Sequence, residues 1–326
     1  MVAPQEHTEA RASFGWPARL HVVTGKGGTG KTTVAAALAI ALATGGRRTL
    51  VIEVEGRQGI AQLFDLEPLP YEEREIATAP GGGEVRALAV DAELALLEYL
   101  DMFYRLGIAG RALQKMGAID FASTIAPGIR DVLLTGKVKE AVTRTVEGRR
   151  VYDAVVLDAP PTGRIGRFLN VTAETARLTK VGPIKNQSEG VAAILRSPMT
   201  MVHVVTLLEE MPVQETADAI ADLARLGLPV GSVIVNATRR AILEGAKITT
   251  ADLRRGLAVA GVPTDRGTVS GLVEEAKAYQ IRLEVERALR AELDGLGRPV
   301  IELPLLTDGV TPEGLETLAA VLLTAA

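Results

Sequence analysis

Residues 25–33 read Gly-Lys-Gly-Gly-Thr-Gly-Lys-Thr-Thr, and the segments on either side fix how this stretch is presented. Gly25, Gly30, Lys31 and Thr32 complete the phosphate-loop pattern G-x-x-x-x-G-K-[ST]. Leu20 to Val23 reads as a short strand, and Thr33 to Ala43 as a helix rich in alanine and leucine. Strand, loop and helix thus follow in the order that points a helix N-terminus at an anion. The glycines permit backbone angles that turn successive N–H groups inward, so Gly27, Gly28, Thr29 and Gly30 line a nest for phosphate oxygens. Lys31 is placed against the β- and γ-phosphates of ATP, or the β-phosphate of ADP, and the Thr32 hydroxyl, followed by Thr33, is placed to ligate Mg²⁺.

Gly25, Gly27 and Gly30 also satisfy G-x-G-x-x-G, the dinucleotide fingerprint, with acidic Glu53 and Glu55 further on. That fingerprint has no use for a Lys-Thr pair directly after its last glycine. A nucleoside triphosphate site does.

Elsewhere strand signals alternate with helical ones. Thr49 to Glu53, Val85 to Val90, Ala154 to Asp158, Met201 to Thr206, Val230 to Asn236 and Val300 to Leu303 are short apolar or β-branched runs. Several lack polar alternation, as strands buried on both faces do. Helices are predicted over Val213 to Arg225 and Gly271 to Asp294. The fold class is therefore α/β, a P-loop NTPase with a mostly parallel sheet and helices on both faces. Asp91 to Arg149 is long for one crossover, and carries Leu94, Leu97, Leu100, Met102, Met116 and Phe121 before a helix at about 131–145. An inserted helical subdomain is expected there, inside a P-loop domain of 18–326. Gly81-Gly82-Gly83 reads as a plain loop.

Ala154-Val-Val-Leu-Asp158 followed by Ala-Pro-Pro-Thr-Gly163 is an apolar strand ending in a carboxylate, which suits Asp158 to hold Mg²⁺, directly or through water. The Pro160 to Gly163 segment then suits a response to the γ-phosphate. Glu53 and Glu55 lie two apart at a strand end, hence on one face, where a carboxylate could orient attacking water.

Composition closes other routes. The absence of cysteine removes a thiol nucleophile, an iron–sulfur cluster and a Cys-based zinc clasp, and fits a cytoplasmic protein. A net charge of −4 does not favour nucleic-acid binding. Residues 1–17 are polar, contain Pro4 and Pro17, and read as a disordered leader. The longest apolar stretch, Val34 to Ala43, is ten residues, against the roughly 20 of a membrane helix.

Lys26, just after the first glycine, extends the loop to G-K-G-G-x-G-K-[ST]-T. This resembles the deviant Walker A loop of nitrogenase iron protein, septum-positioning and plasmid-partition ATPases, and arsenical-pump and tail-anchored-protein-targeting ATPases. In those families the extra lysine reaches across a dimer interface to the partner's phosphates. The whole chain after residue 18 resembles the arsenical pump-driving and tail-anchored-protein-targeting ATPase family. Asp158-Ala-Pro-Pro-Thr-Gly163 is similar to its D-T-A-P-T-G, with Arg167 on the following arginine, and Ala126-Pro127-Gly128-Ile129 is similar to its P-G-I. Glu215-Thr216 is similar to its E-T dipeptide, Val233 to Asn236 to the strand whose asparagine reads adenine, and Glu302 to Leu306, with Pro304, to its late P-L-L beside the base.

The resemblance implies Mg²⁺-dependent ATP hydrolysis that opens and closes a homodimer, or a heterodimer with a related ATPase. It implies an apolar client or a membrane-protein partner. It departs at one place that bears on rate: Glu55 stands where the family's catalytic aspartate does, and Gly56-Arg57-Gln58 replaces Pro-Ala-His, so slow turnover is expected. A hydrolysis-poor, nucleotide-gated scaffold subunit is the first alternative, and a positioning ATPase of the septum or partition type the second.

Overall fold

A computed structural model describes residues 16–104, 127–173 and 183–325. Its centre is an eight-stranded sheet. In chain order the strands are β1 (Leu20–Gly25), β2 (Arg48–Glu53), β3 (Arg74–Ala79), β4 (Gly83–Ala89), β7 (Ala154–Asp158), β8 (Thr200–Thr206), β9 (Val230–Thr238) and β10 (Val300–Pro304). Two-residue strands β5 (Thr145–Val146) and β6 (Arg149–Arg150) form a separate hairpin. The spatial order is β10-β9-β8-β1-β7-β2-β4-β3, parallel throughout except for β3, which runs antiparallel on the edge beside β4.

Side chains along each central strand divide between two cores, as the two-residue period of a strand requires. Val22, Ile52, Leu157 and Val233 face one, and Val23, Val51, Val156 and Ile234 face the other. Both faces are dry, which explains runs without polar alternation. One layer holds α1 (Lys31–Ala43) and α10 (Pro312–Thr324). The small side chains of α1 let it sit between the sheet and α10, and Val34 to Ala43 is buried all round. The opposite layer holds α3 (Ala92–Tyr104), α4 (Pro127–Thr143), α5 (Thr162–Leu169), α6 (Pro183–Leu195) and α7 (Glu210–Arg225).

Ala95 and Tyr99 of α3, and Val132, Leu133 and Val138 of α4, share the core of Leu20 and Leu157. The described part of the expected insert therefore packs on the sheet, and it ends in the β5–β6 hairpin. Met116, Phe121 and Ala126 lie outside the described residues, as do residues 1–15 of the expected leader. Trp16, also assigned to the leader, is buried against His21 and His203, with ring centroids 5.9 and 5.1 Å away. The reading of Gly81 to Gly83 as a plain loop is corrected: Gly81 and Gly82 turn the β3–β4 hairpin, and Gly83 opens β4. A Cβ on Gly83 would lie 1.8 Å from the Ala43 carbonyl oxygen, so the end of α1 crosses there only because the side chain is missing.

Between β9 and β10 stand α8 (Thr250–Val259) and α9 (Arg266–Asp294). Thr249 and Asp265 cap them by accepting the N–H groups of Asp252 and Thr268. No residue of α8 is buried, and only Val269, Leu283, Glu286, Leu289 and Leu293 of α9 are.

Candidate nucleotide site

The carboxyl ends of β1, β7, β8 and β9 meet at residues 25–33. Gly25 leaves β1 where a Cβ would lie 2.2 Å from the Val205 carbonyl oxygen. Gly30, at φ 86°, heads α1 with no side-chain cap, so the first N–H groups of that helix are left for another acceptor. Thr29 closes the loop on itself, its N–H and hydroxyl both donating to the Lys26 carbonyl oxygen. Lys31 is buried at the helix start.

Beneath the loop, the Thr32 hydroxyl donates to Asp158 Oδ2 at 2.7 Å. Asp158 is 7% exposed, and Oδ1 has no hydrogen-bond partner. Burial pushes its carboxyl up to about 6, against the lowering influence of Thr32 and Lys31, while Glu53 and Glu55 add to the rise. Glu53 lies beside Asp158 in the β2–β7 register. It is buried, accepts the Ile60 N–H through Oε2, and leaves Oε1 unpartnered. Unpaired carboxylate oxygens next to a threonine hydroxyl form an all-oxygen donor set. This suits Mg²⁺, which takes one or two carboxylates together with substrate phosphates and water. No cluster of three or more His, Asp or Glu side chains suited to a metal occurs among the described residues.

Glu55 and Glu53 do not share a strand face: β2 ends at Glu53, and Glu55 begins the loop beyond it. Glu55 reaches Arg164 Nη1 at 3.6 Å and Arg57 Nη2 at 3.9 Å. The loop carries Gly56 and Gln58 at φ 67° and 57°, then the short helix α2 (Gly59–Leu63). A Cβ on Gly59 would lie 3.0 Å from Thr32 Cγ2, so this segment is packed directly on the phosphate loop. The 158–164 segment is tied to the loop as well, because Thr24 Oγ1 donates to the Pro160 carbonyl oxygen at 2.7 Å.

Lys26 is paired with α7, its ammonium 2.8 Å from Glu215 Oε1. The Thr162 hydroxyl donates to Glu215 Oε2 at 3.0 Å. Asn236, expected beside adenine, donates from Nδ2 to the Thr29 carbonyl oxygen at 3.0 Å and so braces the loop. Ala237 follows at φ 56°, an uncommon conformation for a residue with a Cβ. Leu207, Asn236, Thr238, Arg239 and Arg282 line a hollow of about 140 Å³ there. Pro304 is exposed at the end of β10, paired with Thr238. Sequence reasoning missed Glu215 as the partner of Lys26, and named Glu53 only alongside Glu55 as a carboxylate to orient water. The E-T dipeptide pointed to the former, but no spacing rule joins residues 26 and 215.

The family model described as "Anion-transporting ATPase" matches residues 18–199. The chain is 55% identical over 313 residues to "ATPase BagA" of Mycobacterium tuberculosis, covering 92% of each protein. It is 26% identical over 249 residues to "ATPase GET3" of Kluyveromyces lactis, covering 66% of this chain and 70% of that one. It is 25% identical over 234 residues to "Arsenical pump-driving ATPase" of Acidiphilium multivorum, covering 65% of this chain and 38% of that one.

Proposed function

This chain belongs to the anion-transporting ATPase family and is an ATPase, and from that premise we propose that it hydrolyses Mg²⁺–ATP as one half of a dimer that closes on ATP and reopens after hydrolysis. The observation that carries the reading is the Thr32–Asp158 hydrogen bond beneath an uncapped helix N-terminus. Amides of residues 27–32 and the Lys31 ammonium hold the β- and γ-phosphates. Thr32 and Asp158 hold Mg²⁺, which when bound neutralises developing phosphate charge. Thr32 turns its lone pairs outward because Asp158 accepts its proton.

Glu55 positions the attacking water. Lys26 leaves Glu215 to reach the nucleotide of the partner protomer, which is a second copy or a related chain. Loss of the γ-phosphate then relaxes residues 55–60 and 158–164, which pack on or bond to the loop and its strand. Work in the cytoplasm on an apolar client or membrane-protein partner completes this reading. No helix among the described residues is long and apolar enough to cross a membrane.

A second reading has its own support. Arg164 and Arg57 both approach Glu55, and a carboxylate with two guanidinium groups beside it is less free to orient a water, as in a nucleotide-gated scaffold subunit. Steady-state ATP turnover of the purified chain, with and without Glu55→Gln, separates the two. Turnover that falls by about 100-fold in the variant, with ATP affinity kept, supports hydrolysis through Glu55. Turnover near background in both supports the scaffold.

A further inference from the structure

At the opposite end of the sheet, where the parallel strands begin, lies a cleft of about 710 Å³. Five arginines line it: Arg19 before β1, Arg47 and Arg48 at the start of β2, and Arg149 and Arg150 on the β5–β6 hairpin. Only two carboxylates face them, Glu84 and Asp153, in a chain whose overall charge is negative. Glu84 is already committed, bridging Arg48 Nε at 2.5 Å and Arg86 Nη1 at 2.8 Å. Asp153 accepts the Arg48 N–H at 2.9 Å.

Three of the arginines, Arg19, Arg149 and Arg150, have guanidinium groups with few protein partners among the described residues. Arg149 and Arg150 make no ion pair among the described residues. Arg19 gives Nη2 to the Tyr152 carbonyl oxygen at 2.6 Å, but its Nε is buried with no partner. Burial and the neighbouring Arg150 charge both lower the Arg19 guanidinium from its ordinary value. The hairpin turns at Glu147 and Gly148, which both take positive φ, 52° and 76°, the tight two-residue turn that matches strand twist. Like charges gathered around one cleft repel one another, and an anion bound between them relieves that repulsion.

We infer that this cleft is a second anion site, separate from the nucleotide cradle, that binds a ligand carrying two or more phosphate groups by bidentate guanidinium contacts. Planar guanidinium forks match phosphate geometry, and the volume suits a molecule of oligophosphate or lipid-headgroup size. Five arginines lining one cleft exceed what a single monovalent anion needs. The ligand is a free oligophosphate or a phospholipid headgroup, and one experiment tells them apart.

Full-length protein is titrated calorimetrically with inorganic tripolyphosphate, and separately sedimented with phosphatidylcholine vesicles with and without cardiolipin, a lipid whose headgroup carries two phosphates. The same is done for Arg149→Ala/Arg150→Ala and for the control Arg254→Ala/Arg255→Ala on exposed α8. The hairpin variant is expected to weaken one of the two interactions by about tenfold or more, with ADP binding unchanged, the thermal midpoint no lower and the control like wild type. Loss confined to tripolyphosphate identifies a free oligophosphate, and loss confined to anionic vesicles identifies a headgroup. Should the double variant misfold, Arg149→Glu alone, on the solvent-exposed hairpin, carries the same expectation. Wild-type protein that binds neither probe, hairpin variants that bind both unchanged, or a control pair that weakens binding equally would each overturn the inference.

Discussion

Lys26 and Glu215, 189 residues apart in sequence, form an ion pair of 2.8 Å on the rim of the phosphate loop, and Thr162 shares the same carboxylate. Lys26 first, then Thr162, holds the Glu215 carboxyl below its ordinary value. An exposed pair of this kind is worth only about 0–1 kcal/mol, so it steers Lys26 without locking it. If the lysine must swing to a partner's nucleotide, Glu215→Gln removes a competitor. Half-maximal ATP-dependent association, followed by sedimentation velocity, is expected at a few-fold lower protein concentration, whereas Lys26→Ala should not associate at all. Association of Lys26→Ala at the wild-type concentration would count against a cross-subunit role.

Asp158 gives a pH dependence with a definite sign. Its folded carboxyl titrates at about 6 against 3.8 as the reference value, mainly because it is buried. Between those values the folded state binds the extra proton, so this group's destabilising effect is full above about pH 6 and fades as pH falls toward 4. Asp158→Asn should therefore raise the thermal midpoint of nucleotide-free protein at pH 8 by several degrees. The same variant should lose Mg²⁺-dependent tightening of ATP binding, and wild type should lose it as pH drops through 6. A lowered midpoint in the variant would show that the carboxylate is better satisfied than its unpaired Oδ1 implies.

Gly30→Ala tests the cradle by geometry. Its Cβ would sit 2.3 Å from Asn236 Nδ2 at a left-handed φ, so both the loop and its brace must move. ADP affinity should fall by about 100-fold or more, with a stability loss of about 1–2 kcal/mol. Asn236→Ala, which removes the brace without the clash, should cost less affinity. Full affinity in Gly30→Ala would mean that the loop is not the phosphate-binding element.

The sequence carried most of this architecture because the central strands are continuous β-branched runs that tolerate one reading. β3 escaped notice since Arg74-Glu-Ile-Ala-Thr-Ala79 is an edge strand, half polar and antiparallel, with a weak pattern of its own. Residues 250–259 were not read as an element, and Val259 and Ile281 stand largely exposed on α8 and α9, so their apolar side chains mark no core-facing position. Phosphate-loop glycines were legible through their spacing, and Asp158 through its place at a strand end. The strand end at Glu53 was legible, but the separate surroundings of Glu53 and Glu55 were not, because they depend on the Ile60 N–H and on Arg164, which lie further along the chain. Contacts such as Asn236 to Thr29 depend on two strand ends meeting, and local sequence carries no trace of that.

The buried histidine pair supplies the last expectation, and its proton arrangement follows from its neighbours. Ser232 N–H can only donate, so His203 Nδ1 accepts from it at 3.4 Å. His203 Nε2 must then donate to His21 Nδ1 at 3.1 Å, and His21 Nε2 to the Ala18 carbonyl oxygen at 3.0 Å. Each ring has one proton, and a further proton would break an existing bond. Burial accordingly lowers His21 to about 4 and His203 well below its ordinary value. Unfolded chain binds protons that folded chain refuses, so stability falls as pH drops from 6.5 toward 4, the reverse of Asp158. The two effects are separated in an Asp158→Asn background, where the loss in unfolding free energy between pH 7 and pH 5 should be on the order of 2–4 kcal/mol. His21→Leu/His203→Leu in that background should flatten this dependence, read from urea midpoints at the two pH values. A background protein equally stable at both would mean that one histidine is already charged in the fold, and the neutral relay would be wrong.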